Sequence, residues 1–245
     1  MPPSEIRKEA RESLKCKWGK AVCIVLAYTI ITFLIGFIEG IMEEESIPYL
    51  LLELTYMIIS VPLSFGLIIS FIKLKRGETI SAFGFIKEGF SRFGKSWGLS
   101  WHTFIRLLLP TICLIIIAAL MNFLLIFGST SLVLSIICVI LYIITLIYVV
   151  SRSLLYILTH YIAYDKPQLS SKECVKKSEE LMKGNRGSYL LLELSFIGWA
   201  ILAVLPLGIG ILWLTPYLAV AEVCFYERLS NPKNKKNDEE AQIDE

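Results

Sequence analysis

Charge is scarce in this chain of 245 residues, since only 19% of them are Asp, Glu, Lys or Arg, against about 25% in soluble domains. Only two histidines occur, His102 and His160, and neither stands in a metal-ligand spacing such as HExxH. No Walker loop, GxSxG or GxGxxG motif is present. These absences argue against a soluble domain, a disordered protein, a nucleic-acid binder and an enzyme. We therefore expect no catalytic residue, no metal site and no cofactor.

Aspartate and paired cysteines are also missing from the places where chemistry would need them. The only aspartates are Asp165, Asp238 and Asp244, and all three lie outside the long apolar runs, which excludes a paired-aspartate membrane protease. The six cysteines form no CxxC motif and no pair in a short turn. They indicate buried small residues or cytoplasmic thiols, and neither a disulfide framework nor a metal site.

Hydrophobic residues make up 55% of the chain, the mean hydropathy is +0.64, and long runs carry little or no charge. Between Leu107 and Ser151, for example, there is no charged residue at all. A membrane helix needs about 20 mostly apolar residues, and backbone polar groups in lipid must bond internally. Turn signals divide the runs, so the sequence predicts an all-α membrane protein with six transmembrane helices in three hairpins. The predicted spans lie near 20–41, 48–72, 101–127, 131–151, 188–205 and 208–227, within one domain over 1–229.

The basic residues predict the orientation of these spans. Of the 24 Lys and Arg residues, 22 fall in four segments that would share one side: 1–20, 73–96, 165–187 and the tail from Arg228. The three turns on the other side hold none. By the positive-inside rule, both termini and both large loops lie in the cytoplasm of a multi-pass protein of the cell membrane. Residues 230–245 are polar and are predicted to be a disordered cytoplasmic tail.

A basic amphipathic segment precedes each predicted hairpin on the cytoplasmic side. The second of these is the most aromatic, because its apolar residues recur at intervals of three and four and form one helical stripe. This predicted membrane-surface face comprises Phe83, Ile86, Phe90, Phe93 and Trp97. Two interpretations remain open for the segments: they orient the hairpins as elbows, or they lie in the membrane interface and favour anionic lipid.

Four charged residues fall inside the predicted spans, where charge is costly and is a candidate for function by default. They are Arg106, Arg152, Glu193 and Glu222. The predicted topology places all four in the cytoplasmic half of the membrane. One hypothesis is that they line a polar cavity open to the cytoplasm. The alternative is that they form structural ion pairs, or that the arginines reach to lipid headgroups.

Two stretches of the chain carry a resemblance to a known family. One is the opening IRKEARESLKCKWGKA, and the other runs from the Gly184 region through Phe196-Ile197-Gly198-Trp199 to Phe225-Tyr226. Together they resemble the bacterial integral membrane family known as domain of unknown function nine-seven-five, over essentially 5–229. Cys16-Lys17 stands where the family pattern usually has Gly-Asn. The resemblance implies a membrane architecture and supplies no activity, cofactor or site residue.

The sequence therefore predicts a non-enzymatic membrane accessory protein that interacts with lipid or with other proteins. Its expected partners are the lipid bilayer, with anionic lipid at the cytoplasmic face, and another membrane protein or a second copy of the chain. Nucleic acid is not an expected partner. The alternative function is a small transporter or channel that uses the cytoplasm-facing polar cavity.

Overall fold

A computed structural model of the chain describes residues 2–43, 46–126, 132–206 and 208–231. Within these ranges all regular structure is helical, which confirms the predicted all-α class. The α-helices are α1 (Pro3–Leu14), α2 (Trp18–Ile41), α3 (Ile47–Lys75), α4 (Gly84–Phe90), α5 (Phe93–Ile126), α6 (Leu132–Ser153), α7 (Thr159–Asp165), α8 (Ser171–Met182), α9 (Arg186–Leu194), α10 (Ile197–Val204) and α11 (Ile211–Ser230). A 3-10 turn, Leu154–Tyr156, follows α6. The predicted tail lies almost wholly outside the described residues.

Five stretches of helix are long and apolar enough to cross a membrane. They are Trp18–Ile41, Ile47–Lys75, Phe93–Phe123, Ile136–Asp165 and Arg186–Val204. The helix α11 occupies the place of the sixth predicted span, but it is not among the five. It carries three charged residues near its end, Glu222, Glu227 and Arg228. Consecutive helices pack against each other in the pairs α2–α3, α5–α6 and α10–α11.

The hydrophobic core lies toward the helix ends near which the basic residues are concentrated. In α2 the buried residues fall between Ala21 and Ala27, and in α3 they fall between Pro62 and Leu74. The rest of the core comes mainly from α7, α8 and the second half of α11. The opposite halves of α2 and α3 expose large apolar side chains such as Phe33, Phe37 and Leu51. Contact with lipid tails would cost such apolar surfaces little free energy, whereas exposure to water would be unfavourable.

The first and third amphipathic segments use their apolar faces in this core. Ile6, Ala10 and Leu14 of α1 are fully buried, and α1 packs on α11. In α8 the apolar face packs against α5, α7 and the 3-10 turn. The helix begins with a capping box, in which the Glu173 backbone N–H donates to Ser170 Oγ and the Ser170 backbone N–H donates to Glu173 Oε2. These contacts favour the elbow interpretation for both segments.

The second amphipathic segment consists of two helices, where the apolar stripe predicts one. The helix α4 ends at Phe90, and α5 begins at Phe93 and continues into the third span. Glycine has low helix propensity, and Gly89 and Gly94 flank this break. Phe93 and Trp97 therefore belong to the first turns of α5, and this helix begins eight residues before position 101, where the third span is predicted to start.

Two further spans are interrupted. The fifth breaks at Ser195 and Phe196, between α9 and α10, where Ser195 Oγ donates to the Leu192 carbonyl oxygen at 2.6 Å. A serine hydroxyl that bonds to the backbone in this way competes with the helical ladder. The fourth span leaves α-geometry at Leu154, and the apolar run beyond the 3-10 turn continues as α7, whose residues Thr159, Tyr161, Ile162 and Ala163 are buried.

Candidate functional site

The two arginines of the predicted set share one carboxylate. Arg106 Nη1 of α5 lies 2.5 Å from Glu179 Oε2, and Arg152 Nη2 at the end of α6 lies 3.8 Å from Glu179 Oε1. Tyr156 completes the group, since its hydroxyl donates to Glu179 Oε1 at 3.0 Å and accepts from Arg152 Nη2 at 3.1 Å. We call these four residues the arginine cluster. It fixes α5 and α6 to α8.

The carboxylate at the centre of this cluster was missed by sequence reasoning. Burial alone would raise the pKa of Glu179, but hydrogen bonds from Arg106 and Tyr156 and the charges of both arginines hold it below its ordinary value. A signal for it does exist in the sequence. Glu179 lies four residues after Val175 and three before Met182, both buried, so it stands at the edge of the packed face of α8.

The two glutamates of the predicted set lie in a second cluster. Glu222 of α11 accepts hydrogen bonds from the hydroxyls of Tyr161 at 2.8 Å and Tyr189 at 2.6 Å. Glu193 lies near enough to interact with Tyr189 and with Glu222, and its Oε1 is buried without a hydrogen-bond partner among the described residues. We call these four residues the glutamate–tyrosine cluster. It brings α7, α9 and α11 together.

The predicted set of four charges is thus divided between the two clusters. Within the described part of the chain, neither Arg106 nor Arg152 forms an ion pair with Glu193 or Glu222. A cavity of about 630 Å³ adjoins the arginine cluster at Tyr156 and is lined mainly by apolar residues of α5. It also reaches His160, whose ring lies 5.5 Å from that of Phe65.

Three rings of the predicted membrane-surface face are exposed in the folded chain. Phe83 is 59% exposed, Phe90 41% and Phe93 39%, and the rings of Phe90 and Phe93 stack with their centres 6.3 Å apart. We call these three residues the aromatic surface. The other two members of the predicted face, Ile86 and Trp97, are half-buried. Phe85 is fully buried, although it was not part of the predicted stripe.

The aromatic surface is held in place by close packing of α4 on α3. A β-carbon added to Gly89 would lie 2.8 Å from the Pro62 carbonyl carbon and closer still to its oxygen. One added to Gly66 would meet the Phe85 backbone in the same way. Lys73 of α3 also bonds Glu88 of α4 at 2.6 Å. The two glycines therefore permit a backbone approach that no larger residue allows.

Trp97 has a specific partner on α3. Proline lacks a backbone N–H, so Pro62 leaves the Ile58 carbonyl oxygen without its helical donor. The indole Nε1 of Trp97 donates to that oxygen at 3.2 Å. Trp97 therefore compensates for a proline in a neighbouring helix, a role that its place in the apolar stripe does not indicate.

An ion-pair network joins helix ends that are distant in sequence. Arg228 of α11 bonds Glu9 at 3.0 Å and Glu5 at 3.1 Å, both on α1. Lys75, the last residue of α3, bonds Glu9 at 3.1 Å and also pairs with Glu227. Burial would raise the pKa of Glu9, but its bonds to Lys75 and Arg228 hold it below its ordinary value. The network thus connects the first and last helices to the end of α3.

The same network extends to α7 through Arg76. Its Nη1 lies 2.7 Å from Asp165 Oδ1, and its Nε lies 3.1 Å from Glu227 Oε1. The bond to Asp165 raises the pKa of Arg76 further above its already high value. The hydroxyl of Tyr226 donates to Asp165 Oδ2 at 3.0 Å. The ends of α3, α7 and α11 therefore meet at one place.

Among the described residues, no three or more His, Cys, Asp or Glu side chains lie close enough together to hold a metal ion. All six cysteines are free thiols. Cys138, Cys174 and Cys224 are buried, and Cys16, Cys23 and Cys113 are exposed.

The described residues form an all-helical structure with several helices able to cross a membrane and with ion pairs that join the ends of α1, α3, α7 and α11. Comparison with known families extends this description. The family model described as "Protein of unknown function (DUF975)" matches residues 1–233, so the chain belongs to that family, as its sequence motifs suggest. Neither a curated protein nor a solved structure matches the chain.

Proposed function

We propose that the chain is a six-span integral protein of the cell membrane with both termini in the cytoplasm. The ion-pair network supports an even number of crossings. Arg228 at the end of α11 bonds Glu9 of α1, and residues in contact at one membrane face require the chain between them to return to that face. Lys75 joins the same network, which pairs the crossings of α2 and α3.

The same reasoning pairs the remaining helices. Because Arg76 bonds Asp165, the segment between them crosses and returns through α5 and α6. Because Arg76 also bonds Glu227 near the end of α11, a chain that crosses the membrane in α9 and α10 must cross back in α11 to reach the same face. Five helices qualify as spans by length and composition, and α11 supplies the return that makes six. The basic residues gathered at this end assign it to the cytoplasm.

Within that topology we propose a non-enzymatic accessory role, exerted through the aromatic surface. The observation that carries this proposal is that Phe83, Phe90 and Phe93 stay exposed in a chain that buries the apolar faces of its other two amphipathic segments. The exposed Lys87 stands beside them on α4. Aromatic rings beside basic residues favour the interface of a membrane that contains anionic lipid.

Photo-crosslinking in native membranes tests this role. We expect a benzophenone side chain at Phe90 to form adducts with phospholipid or with one membrane protein, identified by mass spectrometry. The matched control carries the same side chain at Glu78, which is exposed in the loop before α4. Lipid adducts would indicate a lipid-bound surface, and one reproducible protein adduct would indicate an accessory subunit. Labelling at Phe90 no greater than at Glu78 would contradict the proposal.

A transporter remains a second candidate, and the glutamate–tyrosine cluster favours it. Glu222 is held by two tyrosine hydroxyls beside Glu193, next to the break between α9 and α10. Paired carboxylates at broken helices suit the binding of a proton or cation. In that case Glu193→Gln abolishes flux in reconstituted vesicles while the protein stays folded. Flux equal to that of the unaltered protein would exclude a role for this carboxylate.

A further inference from the structure

The junction of α4 and α5 encloses a basic pocket that the proposed function does not use. Its volume is about 340 Å³, and it is lined by Phe93, whose ring stacks on that of Phe90. Its lining residues from the junction are Ser91, Arg92, Phe93, Gly94 and Lys95. Ala163 of α7 and Pro167, which follows α7, complete the lining. We call it the junction pocket.

Arg92 supplies an unused donor to this pocket. The guanidinium carbon lies 4.9 Å from the centre of the Tyr164 ring, a cation–π contact that fixes its orientation. Its Nη1 nitrogen is buried and has no hydrogen-bond partner among the described residues. No described carboxylate forms an ion pair with Arg92, in contrast to Arg76, Arg106 and Arg228. Buried donors in proteins are normally paired, so Arg92 has hydrogen-bonding capacity that the described residues leave unused.

Lys95 and the start of α5 add further donors to the junction pocket. The Lys95 ammonium group bonds the Leu169 carbonyl oxygen and also interacts with Cys174, and it brings a second positive charge to the pocket lining. The backbone N–H groups of Phe93, Gly94 and Lys95 form the first turn of α5, where helical geometry provides no intrahelical acceptor. Two cationic side chains at the N-terminus of a helix favour an anion with several oxygens, of which phosphate is the commonest.

The lining of the junction pocket includes two cationic side chains, Arg92 and Lys95, and no carboxylate. Glu173 interacts with Lys95, but its carboxylate is already bound by the backbone and hydroxyl of Ser170. Arg92 and Arg76 both contact the Tyr164 ring, which also interacts with Glu78. The balance of charge at the junction pocket is therefore positive.

We propose that the junction pocket binds the phosphate group of a membrane lipid, with Arg92, Lys95 and the first amides of α5 as donors. The stacked pair Phe90 and Phe93 favours a lipid over a soluble phosphate, because exposed rings beside the pocket suit the acyl boundary just below the headgroups. This inference rests on the proposed placement of the aromatic surface at the membrane. It adds the chemical group that is bound and the residues that bind it.

Binding of short-chain phosphatidylglycerol to the full-length protein in detergent tests the pocket, with native mass spectrometry as the readout. We expect Arg92→Gln to weaken binding roughly tenfold, the loss that corresponds to one charge-assisted hydrogen bond. Lys176→Gln is the matched control, since it removes an exposed basic residue of α8 that does not line the pocket. Lys95→Gln serves as a second variant, and thermal unfolding verifies that each variant is folded. Equal binding by the unaltered protein and both pocket variants would overturn the proposal.

Competition with inorganic phosphate and glycerol phosphate distinguishes a lipid headgroup from a soluble phosphorylated molecule as the ligand. We expect both to compete weakly with the lipid, and the double variant Phe90→Ser, Phe93→Ser to lose lipid binding while keeping the weak binding of phosphate. Tight binding of either soluble compound, unaffected by that double variant, would assign the pocket to a soluble phosphorylated molecule and overturn the lipid assignment. Crosslinks from Phe90 to lipid combined with unchanged binding by Arg92→Gln would refute the pocket alone and leave the proposed accessory role intact.

Discussion

Replacing Gly89 by alanine is the most revealing single perturbation of the aromatic surface. The added carbon would meet the backbone of Pro62, which is inside α3 and cannot rotate away as a side chain would. Ordinary carbon–carbon contacts of about 3.5–4.0 Å require α4 and α3 to separate by about 1 Å. We therefore expect α4 to shift, and the Lys73–Glu88 ion pair and the packing of Phe85 to weaken with it.

The size of the effect follows from two opposed contributions. Alanine stabilises a helix by about 1 kcal/mol relative to glycine, whereas overpacking costs about 1–3 kcal/mol and more where backbone must move. The matched control is Gly187→Ala in α9, because a β-carbon there meets nothing within 4 Å. We expect the Gly89 variant to be about 2 kcal/mol less stable than the Gly187 variant, although the chemical change is the same.

Thermal unfolding in nanodiscs measures this difference, and hydrogen exchange over 81–95 locates it. Exchange in that segment should rise in the Gly89 variant and stay unchanged in the Gly187 variant. Equal stability of the two variants, with equal protection of α4, would refute the close packing of α4 on α3.

Two further predictions concern the groups that tie the helices together. Because the pKa of Glu179 is lower in the folded protein than its ordinary value of 4.5, its ionised form stabilises the fold at pH values above 4.5. This stabilisation is lost as the pH falls below 4.5, so the stability advantage of the unaltered protein over Glu179→Gln should shrink in acid. A difference in unfolding temperature that stays constant over this pH range would contradict the ion pairs. Trp97→Phe leaves the Ile58 carbonyl unpaired and should destabilise the protein by about 1–3 kcal/mol. Adding Pro62→Ala restores a backbone donor and should recover most of that loss, whereas simple additivity of the two changes would refute the hydrogen bond.

Hydropathy and charge predict the helical class and the helix positions because these depend on local composition. The interruptions are harder to predict, since they depend on contacts with other helices. Ser195 is one serine in an apolar run, and its carbonyl oxygen is bonded by Arg7 from the far end of the chain, at 2.9 Å. No pattern around either residue indicates that contact.

The candidate site shows the same division between local and long-range information. The sequence marks the four charges inside the predicted spans as candidates for function, but it cannot show which residues they pair with. The position of Glu179 at the edge of the packed face of α8 indicates that it contacts other helices, but Arg106 is 73 residues away and nothing in the sequence identifies it as the partner. Exposed rings are equally hidden, because a helical stripe with Phe90 and Phe93 is typical of core packing as well as of a membrane interface.

The depth of position 90 in the bilayer tests the central proposal most directly. A spin label at Phe90→Cys, in a protein whose exposed Cys16, Cys23 and Cys113 are replaced, reports its accessibility to oxygen and to a water-soluble nickel complex. After reconstitution into anionic bilayers, we expect the label at position 90 to lie just below the headgroups, shielded from nickel and accessible to oxygen, while a label at Glu78→Cys stays in water. A label at position 90 that is as accessible to nickel as the one at position 78 would contradict the account.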